Sequence, residues 1–348
     1  MPKGELLMRG SYKVIIQNNR VQFKLTINRN LTIIQGNSAT GKTTLLDMVA
    51  AHEELGAQSG VTVSCKVPCK TISGKYWRRD LQEISSSIVF IDEGNTFVRS
   101  REFAHEAKRS SNYYVIVARE SLRQLPYSVD EIYGLKNTNR TTTKYPVYSR
   151  VYTSTYRIYG DTDFRGERPE LVIVEDTNSG YEFFSLLCKK SSIKCISAGG
   201  KSNICNCIMD APENDILVIA DGAAFGPEIA EAAALLRRKN IKLFLPESFE
   251  WLVLKSGLFN SKHIKDMLLN PAEHIESSKF FSWEKFFTAE LIECSRDTRF
   301  RYDKSCLNEE YLNPTALAAL EDTLPDLGIT SHCLLYTSDA ADDTPCVD

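Results

Sequence analysis

Residues 36–43 read Gly-Asn-Ser-Ala-Thr-Gly-Lys-Thr, between an apolar run over 31–34 and a helical pattern that begins at residue 44. Glycines near both ends let backbone N–H groups close around a phosphate, and the helix that follows points its N-terminus at the same place. In this spacing the lysine contacts the β and γ oxygens and the hydroxyl after it holds Mg²⁺. The sequence therefore predicts a strand, a phosphate-binding loop and a helix. The residues predicted to bind the nucleotide are Gly36, Asn37, Ser38, Ala39, Thr40, Gly41, Lys42, Thr43 and Thr44.

A second apolar run, over 88–91, ends in two carboxylates, Asp92 and Glu93. A continuous apolar run indicates a strand buried on both faces of a parallel sheet, which delivers both acids to the carboxyl edge of that sheet. We expect Asp92 to hold Mg²⁺ together with Thr43, and Glu93 to orient or deprotonate the attacking water. Lys42 and Glu93 are the predicted catalytic residues of this half.

A further strand, over 113–117, places Arg119 close to the same edge. Arg119 either senses the γ-phosphate or pairs with a neighbouring acid, and the sequence favours neither role. A hairpin is predicted before the loop, with a turn over 17–20.

The motifs GNSATGKT and IVFIDE, over about residues 10–135, resemble those of P-loop ATPases of the ABC and AAA-like groups. The resemblance implies ATP and Mg²⁺ as cofactors. Between Lys42 and Asp92 there is no Ser-Gly-Gly-Gln signature, so the resemblance does not extend to the dimer-sandwich mechanism of ABC ATPases. No Asn-Lys-x-Asp stretch follows that could read a guanine base, so ATP is expected rather than GTP.

Composition excludes several classes of protein. The 348 residues are 43% hydrophobic and 25% charged with a net charge of −3, which fits a globular chain that is not coated with positive charge. Neither a membrane span nor a signal peptide is recognisable, so we expect a cytoplasmic protein with no membrane partner. The ten cysteines are then expected to be reduced thiols. The close pairs at 65/69 and 205/207 lack the spacing and the neighbouring histidines of a zinc site.

Residues 136–168 are rich in Thr, Tyr, Arg and Lys, and we place a linker there. Its positive charges alternate with tyrosines, a composition that can stack bases and pair with phosphates. A solvated connector or an edge hairpin would have the same composition. The tyrosines are Tyr145, Tyr148, Tyr152, Tyr156 and Tyr159.

The second half alternates four apolar runs, over 171–174, 193–196, 215–219 and 241–245, with helical patterns. This alternation predicts a parallel sheet with right-handed crossovers. Glu175 and Asp221 follow two of these runs, so they are expected side by side at the carboxyl ends of neighbouring strands.

The stretch 170–257 resembles a Toprim domain, the Mg²⁺-binding fold of topoisomerases, primases and OLD-type nucleases, through VED, GGKSN and the Asp221–Gly226 spacing. The resemblance implies Glu175 and Asp221 as metal ligands, with Glu175 catalytic if the domain is a nuclease. Ala223 stands where the second acid of the family's DxD belongs. Either another carboxylate, Glu228, Glu247 or Glu250, compensates, or the domain binds or regulates without cleaving.

The sequence thus predicts an α/β protein with a P-loop NTPase domain over 1–135, a linker over 136–168, a Toprim-like domain over 169–258 and a helical extension over 259–332. Residues 333–348 read as the translation of a transposase-type sequencing adapter, and we expect them to be an assembly artefact. The layout resembles small OLD-type ATPase–Toprim proteins of bacterial mobile elements and defence systems.

The expected function is ATP binding and hydrolysis that controls a Toprim-like effector, with DNA or RNA as a candidate partner. Two alternatives stay open: a nucleotide-dependent switch that binds a protein and cleaves nothing, and an ATP-dependent accessory factor for DNA transfer. The sequence leaves the oligomeric state open.

Overall fold

The computed structural model describes residues 8–36, 40–138, 150–160, 164–165 and 167–329. It divides into two compact units that are interleaved along the chain: unit 1 comprises 1–161, 221–231 and 245–294, and unit 2 comprises 162–220, 232–244 and 295–348. The sequence predicts consecutive domains instead. The predictions for Asn37, Ser38 and Ala39, for Tyr145 and Tyr148, and for the adapter-like tail lie outside the described residues.

Nine strands of the described part of unit 1 form one mostly parallel sheet in the order β4-β1-β2-β9-β8-β3-β7-β6-β5. The strands are β1 (Tyr12–Gln17), β2 (Val21–Ile27), β3 (Leu31–Ile34), β4 (Thr62–Ser64), β5 (Cys69–Thr71), β6 (Ile88–Ile91), β7 (Tyr113–Val117), β8 (Ile132–Asn137) and β9 (Val151–Arg157). β1 and β2 form the predicted antiparallel hairpin.

The apolar runs explain the centre of this sheet. Every residue of β3, β6 and β7 is buried, as expected for strands covered on both faces. The helices of unit 1 are α1 (Lys42–Leu55), α2 (Trp77–Glu83) and α3 (Arg101–Arg109), with α7 (Phe249–Lys255), α8 (Lys262–Leu269), α9 (Pro271–His274) and most of α10 (Trp283–Ser295) from the later segments. α1 ends at Leu55, and Gly56 follows it with φ +55°, a conformation that favours glycine.

Part of the predicted linker is a strand. β9 lies inside the sheet, parallel to β2 and antiparallel to β8, so it is neither a connector nor an edge strand. Its alternating pattern, with Thr153 buried between the exposed Tyr152 and the half-buried Ser154, allows it to insert there.

Unit 2 contains the four predicted parallel strands, β10 (Leu171–Val174), β11 (Lys194–Ser197), β12 (Asp215–Ile219) and β13 (Asn240–Phe244), in the order β11-β10-β12-β13. Its helices include α4 (Ser179–Lys190), α5 (Ile204–Asp210) and α11 (Pro314–Glu321), while α6 (Gly226–Leu235) begins in unit 1. None of the described helices combines the length and hydrophobicity that a bilayer crossing needs.

A buried arginine joins the later segments of unit 1 to the sheet. Arg29 precedes β3 and is 7% exposed. It donates two hydrogen bonds, of 2.6 and 2.8 Å, to the carboxylate of Glu247, and its guanidinium carbon lies 3.6 Å from the ring centroid of Trp283. Glu131 and Asp130, which precede β8, lie 3.6 and 3.8 Å from the same guanidinium.

Burial changes the titration of this cluster. Burial raises the pKa of Glu131 to about 7, although Arg29 and a 3.1 Å hydrogen bond from Thr32 oppose the rise. Burial by itself would lower the pKa of Arg29, but the charge of Glu247 leads a set of acids that raise it. Arg29 therefore stays charged while Glu131 titrates near neutral pH.

Replacing Arg29 by alanine should lower the free energy of unfolding by about 3 to 5 kcal/mol, because the change leaves buried carboxylates without their cation. Arg123→Ala is the matched control, since Arg123 pairs with Glu231 on the surface at 70% side-chain exposure and should cost less than about 1 kcal/mol. Urea unfolding of the three proteins measures both effects. Equal losses in the two variants would contradict a structural role for the Arg29 cluster.

Replacing Glu131 by glutamine should change the pH dependence of stability. The folded-state pKa, about 7, lies above the ordinary value of 4.5, so between these pH values the folded protein binds the proton more tightly than the unfolded chain does. Stability from this group is therefore complete below pH 4.5 and is lost as the pH rises through 7. Urea unfolding should show that the free energy of unfolding of the variant, relative to that of the wild type, is higher at pH 8 than at pH 5. The same difference at both pH values would refute the assignment.

Candidate functional site

Three neighbouring strands bring the predicted nucleotide residues to one edge of the unit 1 sheet. β3, β7 and β6 run parallel in that order, with Ile34 opposite Val117 and Ile91 opposite Ile116. Because the carboxyl ends of parallel strands meet at the same edge, the segments that follow them converge. Those segments are the phosphate-binding loop, Arg119, and the pair Asp92 and Glu93.

A cavity of about 210 Å³ lies at this edge. Most of the predicted residues described by the structure meet there, and Arg119 joins them from the end of β7. No motif in the sequence pointed to Val117, whose position follows from the parallel register. The lining residues are Thr40, Gly41, Lys42, Thr43, Thr44, Asp92, Glu93, Val117 and Arg119.

The loop conformation requires glycine at position 41. Gly41 has φ +90° and ψ 8°, a left-handed conformation that other residues rarely adopt. A Cβ atom there would also lie 3.4 Å from the ring of Phe23 on β2. Gly41 precedes α1 directly, and its carbonyl accepts from Leu45 N–H at 2.9 Å, so the helix N-terminus opens onto the cavity without a side-chain cap.

Phe23 is a supporting residue that motif reading missed. It is buried on the inner face of β2, beneath the loop, at 1% exposure. The alternation of β2 marks it as an inward-facing residue, but only the fold brings it under Gly41.

The lysine lies within the loop that it is predicted to serve. Lys42 is 7% exposed, and its Nζ donates to the carbonyl of Gly36 at 2.6 Å and to Thr40 Oγ1 at 3.2 Å. These contacts hold the ammonium against the loop at the first residue of α1. A positive charge and a helix N-terminus therefore face the same cavity, which favours an anionic ligand.

The two carboxylates have different surroundings. Asp92 Oδ1 accepts a 2.8 Å hydrogen bond from Glu93 N–H, and the Asp92 carbonyl accepts from the backbone N–H of Asn95 at 3.1 Å. Glu93 Oε1 pairs with Arg119 at 2.8 Å, while Glu93 Oε2 is buried and has no hydrogen-bond partner among the described residues. Arg119, at 63% side-chain exposure, thus both lines the cavity and pairs with an acid.

Magnesium bound with a triphosphate takes most of its ligands from phosphate and water, so one hydroxyl and one carboxylate are enough protein ligands. Thr43 and Asp92, which line the same cavity, fit that requirement. Within the described part of the chain, no group of three or more His, Cys, Asp and Glu side chains is arranged to hold a metal ion. Cys65 and Cys69 are free thiols.

The strand register places one residue of the second predicted site, Glu175, but not the other, Asp221. Glu175 follows β10 and donates its backbone N–H to Ile219 at the end of β12, at 2.9 Å, within unit 2. Asp221 comes two residues after β12 and belongs to unit 1. The sharing of a metal by Glu175 and Asp221 therefore stays a prediction.

One of the carboxylates suggested to compensate for Ala223 has another partner in the structure. The carboxylate of Glu247 accepts both hydrogen bonds from the Arg29 guanidinium, so it is held in an ion pair within unit 1. Glu247 contacts the Ala223 segment through its backbone instead, where its carbonyl accepts from Ala223 N–H at 3.3 Å. The sequence could not show this, because Arg29 lies 218 residues away along the chain.

Comparison with known proteins does not assign this chain to a family. No protein-family model matches this chain, and a search of curated proteins finds no match.

Proposed function

We propose that unit 1 binds ATP with Mg²⁺ and hydrolyses it. The observation that carries the proposal is the cavity of about 210 Å³ in which a helix N-terminus, Lys42, three threonines and two carboxylates meet at the carboxyl edge of parallel strands. This set supplies positive charge for the phosphates, oxygen ligands for magnesium and a carboxylate base for the water.

Each residue has a separate role in the proposal. Lys42 and the N–H groups that begin α1 hold the phosphate oxygens. Thr43 and Asp92 would hold the magnesium, which would supply positive charge beside the phosphates. Glu93 accepts the proton of the attacking water. Its Oε2 atom, which has no hydrogen-bond partner among the described residues, is the oxygen proposed to take that proton.

Arg119 gives the proposal a means of control. It pairs with Glu93 at 2.8 Å and lines the cavity, so its guanidinium is within the same site as a γ-phosphate. The pair is well exposed on the arginine side and contributes little stability. When Arg119 moves to the γ-phosphate, Glu93 is released to act on water.

Calorimetry with Mg²⁺ and ATP should show binding by the wild type and none by Lys42→Ala, because that change removes the cation that faces the phosphates. Glu93→Gln should still bind ATP but should hydrolyse it at least about a hundredfold more slowly, since it cannot accept a proton. Lys108→Ala, on the exposed surface of α3, is the control and should behave like the wild type. If the wild type takes up neither ATP nor GTP, the proposal fails.

For unit 2 we propose an effector that is controlled by the nucleotide and does not cleave phosphodiester bonds. Four parallel strands with Glu175 after β10 fit a Toprim-like arrangement. Cleavage usually requires several carboxylates around Mg²⁺. In the sequence, Ala223 stands where the family's second acid belongs.

A nuclease assay with Mg²⁺ or Mn²⁺ on single-stranded and duplex DNA and on RNA should show no cleavage above background by the wild type. Glu175→Ala should be indistinguishable from it. Cleavage by the wild type that disappears in Glu175→Ala would replace this proposal by an active nuclease.

A further inference from the structure

The sheet of unit 1 has one face on which most residues are exposed or half-buried across four neighbouring strands, β1, β2, β9 and β8. Their inward residues, such as Val14, Phe23 and Leu135, enter the hydrophobic core. The residues between them point to the other face, because side chains alternate along a strand. We call this surface the outer face. Its described residues are Lys13, Ile15, Gln17, Gln22, Lys24, Thr26, Ile132, Gly134, Lys136, Tyr152, Ser154 and Tyr156, of which Ile132 and Gly134 are buried.

The outer face carries positive charge and aromatic rings. Lys13, Lys24 and Lys136 are exposed, and no outer-face position holds an Asp or Glu. Among the described residues, no carboxylate pairs with these three lysines. The protein as a whole has a net charge of −3, so a surface with cations only is a local concentration of positive charge.

Two tyrosines lie in the middle of this surface. Tyr152 is 45% exposed and Tyr156 is 42% exposed, although both are on a strand that lies inside the sheet. They are four residues apart, which corresponds to about 13 Å along the strand. Exposed aromatic rings on an internal strand leave apolar surface in water, a cost that packing within unit 1 does not explain.

The geometry keeps the ring of Tyr156 flat and accessible. Tyr156 is opposite Gly134 in the β8–β9 ladder, and a Cβ atom at Gly134 would overlap the tyrosine ring. The absence of a side chain therefore allows the ring to lie over the backbone. Lys136, on the same strand as Gly134, places its Nζ 5.7 Å from the ring centroid.

The strand register places cations beside both rings. Gln22 is opposite Tyr152 on the β2 side, and Lys24 is opposite Ser154, between the two tyrosines. Lys136 is opposite the same serine from the β8 side. Two lysines therefore flank the space between the two rings, one on each side of β9.

We propose that the outer face binds single-stranded nucleic acid. Bases stack on Tyr152 and Tyr156, and the ammonium groups of Lys24, Lys136 and Lys13 pair with the phosphates that pass between them. Stacking on tyrosine needs unpaired bases, so duplex DNA is excluded. A second copy of the chain is disfavoured as occupant, since a symmetric contact would bring lysines against lysines. This proposal is independent of the nucleotide cavity.

Fluorescence anisotropy with a labelled fifteen-residue oligothymidine should show binding by the wild type at low salt. Tyr156→Ala and Tyr152→Ala should each weaken it by roughly tenfold, because each removes one stacking ring. Tyr156→Phe should retain affinity, since it keeps the ring. Tyr76→Ala is the matched control: Tyr76 is 57% exposed beside Lys75 and Arg79 but lies away from the outer face, and its loss should change nothing.

Salt and competitors complete the test. The logarithm of the binding constant should fall against the logarithm of the salt concentration with a slope of about −2, as expected for three phosphate contacts on a single strand. The variant that combines Lys24→Gln with Lys136→Gln should have a shallower slope.

Oligouridine should compete, and a duplex of the same length should not. Lys42→Ala should bind the oligonucleotide normally, which separates this proposal from the ATPase. No binding by the wild type, equal binding of the duplex, or unchanged binding by both Tyr152→Ala and Tyr156→Ala would overturn the proposal. Circular dichroism of each variant shows whether a loss reflects unfolding.

Discussion

The parallel contact of β3, β7 and β6 is the constraint on which the rest of unit 1 depends. Each strand is apolar along its whole length, and burial on both faces holds the three together by hydrophobic packing and a continuous ladder of hydrogen bonds. Because the strands end at one edge, Lys42, Asp92, Glu93 and Arg119 reach the same cavity without being close in sequence. A shift of one residue in either pairing would turn these side chains to other positions.

The Arg29 cluster holds later segments of unit 1 at the opposite ends of these strands. Arg29 precedes β3 and the acids at 130 and 131 precede β8, so the cluster lies at the amino edge. Glu247 and Trp283 belong to a segment of unit 1 that follows much of unit 2 along the sequence. A buried ion pair is seldom a large net gain in stability, but it requires specific partners, and that requirement fixes where the returning segments attach.

The two proposed binding surfaces use different parts of the same sheet. The nucleotide cavity is formed at the edge, where loops are free to carry charged groups, whereas the outer face is formed by regular strands whose alternate residues have no core to enter. Phe23 is common to both regions, since it packs beneath Gly41 from the inner side of β2 while its neighbours Gln22 and Lys24 belong to the outer face.

The sequence alone determined the α/β class, the hairpin, the buried strands, α1 and the four parallel strands of the second half, because apolar periodicity and glycine positions are local signals. It also identified Lys42, Thr43, Asp92 and Glu93 as neighbours, because motifs that follow the strands of a parallel sheet meet at the same edge. The tertiary structure decided the rest. It inserted β9 into the sheet, divided the chain into interleaved units, paired Glu93 with Arg119 and assigned Glu247 to Arg29. Those outcomes depend on contacts between residues far apart in the chain, and neither periodicity nor motif spacing encodes which distant partner a strand or a charge will meet.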